Sequence, residues 1–417
     1  MRFQSPRGTE DVLPEQSFRW LRLEQAFRDV VARYGFSEIR TPTFEETELF
    51  SRSVGETSDI VTKEMYVFTD KGGRSMTLKP EGTAGVMRAA IQHNLCPSGA
   101  VARLYYIVPF FRYERPQKGR YREAHQVGLE LLGSTSPNAD AEVIEITVEF
   151  YRSIGLPEVE VSLNSIGRAA CRAAYRAAVL EHVAGYLKDQ PQEIRDRIEK
   201  NPLRILDSKD PAAQEAVEGI PPITHFLEPD GAARFARLQE LLSRRGVPFN
   251  LTPKIVRGLD YYTDTVFEIV STRLGAQNAL CGGGRYDRLM KELGGADTPS
   301  VGVGMGIERA LIALEDAHVK WEAPRPDIFV VCVDEAVSEE CEKLASEVRN
   351  AGYTVVTDPE ARSLRAQLRQ ADRVVARRAL ILGPDEVASG VVQVRNLDSS
   401  DSREVPRDSI LSFLQEA

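Results

Sequence analysis

The chain has 417 residues, 42% of them hydrophobic and 28% charged, and its 53 Lys and Arg against 62 Asp and Glu leave a formal net charge of −9. Roughly two to four globular domains fit that length, and with 30 Gly, 23 Pro and no repeating period the composition excludes collagenous and low-complexity classes. The acidic surplus weighs against a nucleic-acid or anionic-membrane partner, although a whole-chain sum is silent about local clustering.

No apolar run approaches the roughly eighteen residues of a membrane span, and the N-terminus lacks the apolar core of a signal peptide, so a cytoplasmic protein is expected. Five cysteines (Cys96, Cys171, Cys281, Cys332, Cys341) form no C-x-x-C pair. Five histidines (His93, His125, His182, His225, His318) form no metal-binding spacing. Neither a disulfide framework nor a protein-held metal is expected.

In chain order, Trp20, Leu23, Phe27, Val30, Val31 and Tyr34 recur at three- and four-residue spacing, which predicts an amphipathic helix from Glu15 to Tyr34 ended by Gly35. Ser37 to Thr41 reads as extended, running into Pro42. Ala100 to Glu114 and Ala124 to Gly133 read as two strands of a long antiparallel hairpin joined by a basic loop, Arg115 to Glu123. From about Gly167 to Arg245 the texture becomes Ala- and Arg-rich with helical spacing, interrupted by prolines, and is read as a helical insertion. Strand character returns at Thr265 to Ser271, followed by Gly-rich stretches at Gly282 to Gly284 and Gly302 to Gly306. The segment from Lys320 to Pro326, containing Pro324 and Pro326, reads as a linker, with 324–326 taken as the join between domains. Beyond it, strands at Asp327 to Val333, Thr354 to Val356, Arg378 to Leu382 and Val391 to Val394 alternate with helices in a small α/β domain, 327–417.

Several constellations carry chemistry. Arg112 and Glu114 interrupt an apolar strand; either they pair with one another, or the planar guanidinium clamps a phosphate or carboxylate. Gly302, Gly304 and Gly306 recur at period two, leaving one strand face bare, and Arg309 stands in the first turn of the helix that follows. Close sheet packing and a flat ligand both explain such a face. Neither a G-x-G-x-x-G nor a G-x-x-x-x-G-K-[ST] pattern is present there, which disfavours a Rossmann or P-loop site. Arg257 to Tyr262 and Gly282 to Asp287 each mix Gly, Arg, Asp and Tyr, suiting either a polar pocket or turns with surface tyrosines. Glu81 and Thr83 sit on a turn that is either a helix cap or a ligand contact. The loop residues Arg115, Gln117, Lys118, Arg120, Tyr121 and Arg122 are either solvated or grip a nucleic-acid end. Arg362, Arg365, Arg369 and Arg373 are spaced for one helical face, with Leu364 and Leu368 turned away; the alternatives are a solvated face and a footprint on a nucleic-acid backbone.

Taken in order, these segments resemble the histidyl-tRNA synthetase family, class II aminoacyl-tRNA synthetases. Arg7-Gly8-Thr9-Glu10-Asp11 is similar to the family's N-terminal signature, the helix to Tyr34 with the strand through Pro42 to class motif 1, Phe111 through Glu130 to motif 2, and Gly302 through Arg309 to motif 3. Arg257 to Tyr262 and Gly282 to Asp287 resemble the peptides that single out histidine. The resemblance implies an α+β fold: an antiparallel sheet flanked by helices in a catalytic domain, 1–323, with an insertion at about 167–245, then a C-terminal α/β anticodon-binding domain. It also implies a homodimer that activates L-histidine with ATP, Mg²⁺ expected, transfers it to the 3′ end of tRNA(His), and releases AMP and pyrophosphate.

By the same resemblance Arg112 holds the α-phosphate of ATP, Glu114 the adenine amino group and Arg309 the terminal phosphates and base. Glu81, Thr83 and Gln126 receive the α-amino group of histidine. Glu130 and Tyr262 receive its imidazole, with Tyr261 and Tyr286 lining the pocket. Arg257 acts with Arg112 in catalysis, on the attacking carboxylate and the α-phosphate. Arg115, Gln117, Arg120 and Arg122 meet the tRNA acceptor end, and Arg362, Arg365 and Arg369 its anticodon region. Where the family usually carries an aromatic that stacks on adenine this sequence has Ala124, leaving Tyr121 or Arg309 to cover the base; Arg288 stands where glycine is common. Two other functions are compatible with the same pocket: a non-catalytic regulatory paralogue serving a phosphoribosyltransferase, and a histidine-binding sensor that forms no adenylate.

Overall fold

The computed structural model describes residues 3–55, 58, 60–206, 208, 210–253, 255, 261–271, 279–360 and 362–416. The chain divides into two compact units, Met1–Trp321 and Glu322–Ala417. The first contains strands β1 (Ser37–Glu38), β2 (Phe44–Glu46), β3 (Val67–Thr69), β4 (Ser75–Leu78), β5 (Ala102–Phe111), β6 (Glu123–Leu132), β7 (Val159–Ser165), β8 (Phe249–Leu251), β9 (Thr263–Ser271), β10 (Ala279–Arg285) and β11 (Ser300–Gly306). Eight of them form one sheet in the order β1-β5-β6-β11-β10-β9-β7-β8. Every pairing from β5 to β7 is antiparallel, and only the edge strands β1 and β8 run parallel to their neighbours. A second, three-stranded sheet has the order β2-β4-β3.

Helix Pro14–Arg33 buries Leu23, Phe27, Val30 and Val31, the stripe its spacing predicts, and Gly35 leaves it at φ +74°, where a side chain would be strained. With helices Pro137–Ser153, Pro229–Arg244 and Ile307–Asp316 it covers one face of the large sheet, in a core that includes Phe150, Leu242, Phe267 and Leu314. The other face carries a smaller cluster, among it Val86, Met87, Tyr106, Tyr261, Tyr262 and Tyr286. Between β7 and β8 the segment from Ala169–His182 to Pro229–Arg244 is helical and has its own core of Cys171, Tyr175, Val179, Leu187 and Val217.

The second unit is a five-stranded sheet of β12 (Ile328–Cys332), β13 (Val355–Thr357), β14 (Arg378–Leu382), β15 (Val391–Asn396) and β16 (Ser402–Pro406), ordered β13-β12-β14-β15-β16. Its faces carry separate clusters, one around Val330, Leu344 and Leu380, the other around Phe329, Val331 and Ala379. Strand β16, Ser-Arg-Glu-Val-Pro, is too polar to have been expected. A further correction concerns the arginine row. The helix is Leu364–Arg373, so Arg362 precedes it and is held by Asp358 at 2.8 and 3.1 Å rather than sharing its face. Leu364 is exposed, and the inward face is Gln367 and Ala371. Arg365, Arg369 and Arg373 are exposed on the helix.

Candidate active site

Directly opposed residues in an antiparallel sheet share a face, and here the register lines up a row across five strands: Tyr106, Gly128, Gly304, Gly282 and Glu268. The next row is Leu104, Glu130, Gly302, Gly284 and Val266. Five glycines, three adjacent in the first row and two in the second, pave a floor that side chains would fill. A Cβ on Gly302 would strike Glu130 and Tyr286, and one on Gly128 would strike the Tyr106 ring. Gly282 to Gly284 thus lie within a strand rather than a turn, and Tyr286 beside them is buried.

Above this floor is a cavity of about 110 Å³ bordered by Glu81, Thr83, Arg112, Gln126, Tyr261, Tyr262 and Tyr286. Helix Thr83–Gln92 points its N-terminus into it, and Glu81 accepts from the Thr83 and Ala84 amides at 2.6 and 2.7 Å, so the cap and the pocket contact are the same carboxylate. Thr83 Oγ1 donates to Glu130 Oε1 at 2.8 Å, and the Tyr286 hydroxyl donates to the other Glu130 oxygen. Gln126 Nε2 donates to the Tyr106 hydroxyl at 3.2 Å. Burial pushes the Glu130 carboxyl well above the usual carboxylate range, and burial also raises Glu81 against the pull of its two amide donors. A pocket with two such carboxyls and a tyrosine wall suits a small ligand bearing N–H donors.

Past the end of β5, Arg112 Nε donates to the Pro80 carbonyl at 2.8 Å and its guanidinium lies 5.2 Å over the Phe110 ring. Glu114 stands 3.8 Å from Arg112 and 3.3 Å from Arg120, so pairing of Arg112 with Glu114 and exposure of Arg112 to the cavity coexist. Arg309, in the first turn of helix Ile307–Asp316, donates to the Ala279 carbonyl and feels Arg120, Glu114 and Glu268. Arg112 and Arg120 flank Glu114, with Arg309 within electrostatic reach of both Arg120 and Glu114, a set of guanidiniums of the kind that can meet a polyphosphate. The hairpin loop folds onto that helix, with Lys118 3.4 Å from Asp316. Gln117 and Arg120 close the loop through paired backbone bonds, Arg115 is exposed, and the Arg122 guanidinium lies 3.8 Å over Tyr113. Ala124 is buried directly across from Phe110.

A family model described as histidyl-tRNA synthetase matches residues 8–310, and one described as an anticodon binding domain matches residues 327–417. The chain belongs to the histidyl-tRNA synthetase family. The histidine–tRNA ligase of Moorella thermoacetica is 47% identical over 416 residues, spanning 98% of this chain and 97% of that one. That of Thermosynechococcus vestitus is 44% identical over 412 residues, spanning 99% and 96%. The crystal structure of apo S. aureus histidyl-tRNA synthetase superposes with a TM-score of 0.83 at 33% identity, covering 99% of this chain and 100% of that one. The fold is accordingly that of a class II synthetase, and the chain is an aminoacyl-tRNA synthetase.

Within this family setting, Glu81, Thr83, Gln126, Tyr261, Tyr262, Tyr286 and Arg112 meet at one cavity, with Glu130 directly beneath, and Glu114 and Arg309 stand at its cationic side. Arg257 lies outside the described residues. Arg285, singled out with Tyr286, faces away: it is wholly buried on Asp140 and Asp287. Sequence reasoning missed Tyr106 and Glu268, whose signal is their register opposite the glycines. It also missed Glu308, which accepts from the His125 backbone amide at 2.8 Å and lies 3.0 Å from its Nδ1. Among the described residues no group of three or more His, Cys, Asp or Glu could hold a metal ion.

Proposed function

We propose that this chain is the ligase itself, joining ATP and L-histidine into histidyl-adenylate and passing the aminoacyl group to tRNA(His). What carries the reading is the glycine floor under Glu130, Thr83 and Tyr286, next to the Arg112, Arg120 and Arg309 cluster: an N–H-accepting pocket abutting an anion site. In activation a carboxylate oxygen bonds to the α-phosphorus while the bond to the departing pyrophosphate breaks, so negative charge gathers on the phosphoryl oxygens. Arg112, fixed by its hydrogen bond to the Pro80 carbonyl, answers that charge with no proton transfer. Arg309 is assigned the terminal phosphates and the base, and Glu114 the adenine amino group, which requires it to exchange an arginine for the base.

Glu81, Thr83 and Gln126 are assigned the α-amino group, Glu130 and Tyr262 the imidazole, and Tyr261 and Tyr286 the walls. An apolar amino acid would bring no ring N–H to a pocket of buried polar groups, a mismatch that rejects it by about 10⁴–10⁵. Arg257 remains assigned to the attacking carboxylate from the resemblance alone. Mg²⁺, where it accompanies ATP, suits the phosphates better than a protein cage, in keeping with its few direct protein ligands in nucleotide sites. Arg115, Gln117, Arg120 and Arg122 are assigned the acceptor end of the tRNA, and Arg365, Arg369 and Arg373 its backbone near the anticodon, with Arg362 beside them. A homodimer is supported by exposed Phe44, Val67 and Phe68 on the small sheet that follows the motif 1 segment. No helix among the described residues is long and apolar enough to cross a membrane, and a cytoplasmic site of action follows from the proposed substrate.

Histidine-dependent exchange of labelled pyrophosphate into ATP tests the reading. Exchange with histidine and with no other amino acid is expected. Histidine binding without exchange would reassign the chain to a sensor or regulatory subunit.

A further inference from the structure

Asp264 is the second residue of β9, two positions after Tyr262, and takes φ +50°, in the left-handed region that, glycine apart, Asp and Asn visit most readily. Its backbone is fixed from both sides: Ile166 N donates to the Asp264 carbonyl at 2.7 Å, and Asp264 N donates to the Gly167 carbonyl at 3.1 Å. Its buried carboxylate meets two arginines of the helical segment, Arg168 at 3.3 Å and Arg234 at 3.7 Å. Arg168 also reaches Asp230 at 2.8 Å, and Arg234 lies 3.9 Å from Asp287, the neighbour of Tyr286. One turn beyond Arg168, Arg172 donates to the Tyr262 carbonyl at 3.0 Å.

These links converge on the two tyrosines that wall the cavity. Tyr262 is held at its own carbonyl and through Asp264, and Tyr286 through Asp287, whose amide also donates to Thr263 Oγ1 at 3.2 Å. Asp264 cannot move without releasing Arg168 and Arg234, and the ring directions of Tyr262 and Tyr286 depend on the backbone so held.

We infer that Arg168, Arg172 and Arg234 are positioning residues for the amino-acid pocket, so that the seating of the helical segment sets the affinity for histidine. The inference rests on the proposed histidine pocket. Charged hydrogen bonds to a backbone carbonyl and a buried carboxylate tie a segment outside the pocket to its walls, and loosening them misplaces both rings together. The phosphate side, carried by Arg112 and Arg309, makes none of these contacts, so ATP affinity should be indifferent.

The test is pyrophosphate exchange by the full chain, with histidine and ATP varied separately. Arg172→Met, which keeps the stem and removes the donor, should raise KM for histidine about tenfold and leave KM for ATP within twofold. Arg172→Lys should recover most of the loss, and Asp264→Asn, which tolerates the left-handed backbone but breaks the ion pairs, should shift KM for histidine in the same direction. Should Arg172→Met not fold, Arg234→Gln and Asp264→Asn give the same readout. A KM for histidine unchanged in these variants, or one that rises equally with KM for ATP, overturns the inference and makes the contacts merely structural. A parent protein that exchanges nothing with histidine overturns the pocket assignment itself, and this inference with it.

Discussion

Glu130 has no water-exposed surface, and each of its oxygens already accepts a hydroxyl, from Thr83 and from Tyr286. Burial raises its pKa, so the folded chain holds that proton more tightly than the unfolded chain does. Its stabilising contribution is therefore complete below the unfolded value of about 4.3 and is lost as pH rises through the folded one. Glu130→Gln should raise the melting temperature at pH 8, with the difference vanishing toward pH 4. The same change should raise KM for histidine on the order of 10–150-fold, the range for one charged hydrogen bond at roughly 1.5–3 kcal/mol. Binding here would oppose stability: the gain in melting temperature should come with a loss of histidine affinity. Arg285 shows the other balance. It is wholly buried and satisfied by Asp140, Asp287 and the Ser134 carbonyl, so Arg285→Met strands two carboxylates and should lower unfolding free energy by about 3–5 kcal/mol in urea melts. Adding Asp140→Leu should restore part of it.

At the scale of elements, the β5–β6 hairpin is anchored to helix Ile307–Asp316 by Glu308, which binds both the amide and the ring of His125. Burial of His125 disfavours its charged form, but the Glu308 hydrogen bond and charge outweigh that and raise its pKa. The ion pair is then fully present below the unfolded value of about 6.5 and is lost as pH rises through the folded value. His125→Gln should destabilise the chain at pH 5.5 and approach the parent by pH 9, by calorimetry. The hairpin itself was legible because Val, Ile, Tyr and Phe cluster on either side of a polar loop. The dipeptide Tyr105-Tyr106 was not, since alternation puts one ring on each face without saying which face is the site. Only pairing with Gly128 decides for Tyr106. The arginine row misled for a different reason. Its spacing continues through Arg362, yet the helix begins only after Ser363, whose backbone is extended, and the Arg362 side chain is taken up by Asp358 before the first turn. Tyr261 and Tyr262, which border the cavity, were singled out through motif likeness, a signal that owes nothing to periodicity; Arg257, assigned the same way, lies outside the described residues.

For the whole molecule, a net charge of −9 coexists with exposed Arg365, Arg369 and Arg373 on one short helix and a basic hairpin loop. Replacing those three arginines by Gln in the full chain should weaken tRNA binding and flatten its salt dependence, each lost phosphate contact removing about 0.7–0.9 from the log–log slope. Pyrophosphate exchange, which needs no tRNA, should be unchanged. Acidic surface elsewhere discourages indiscriminate association with other polyanions. The sheet order bears on how the chain is made. Strands β6 and β11, neighbours at its centre, are separated by about half of the first unit, from Leu132 to Ser300, and the helical segment with its own core lies between them in sequence. On the ribosome, β5 and β6 emerge with one long edge bare and stay so until Ser300–Gly306 has left the exit tunnel. At about 5–20 residues per second that interval lasts on the order of ten to forty seconds, during which the helical segment can collapse alone while the glycine floor does not yet exist. Nascent chains stalled before residue 300 should consequently engage a chaperone that recognises unpaired strand edges, and those stalled well past 321 should not.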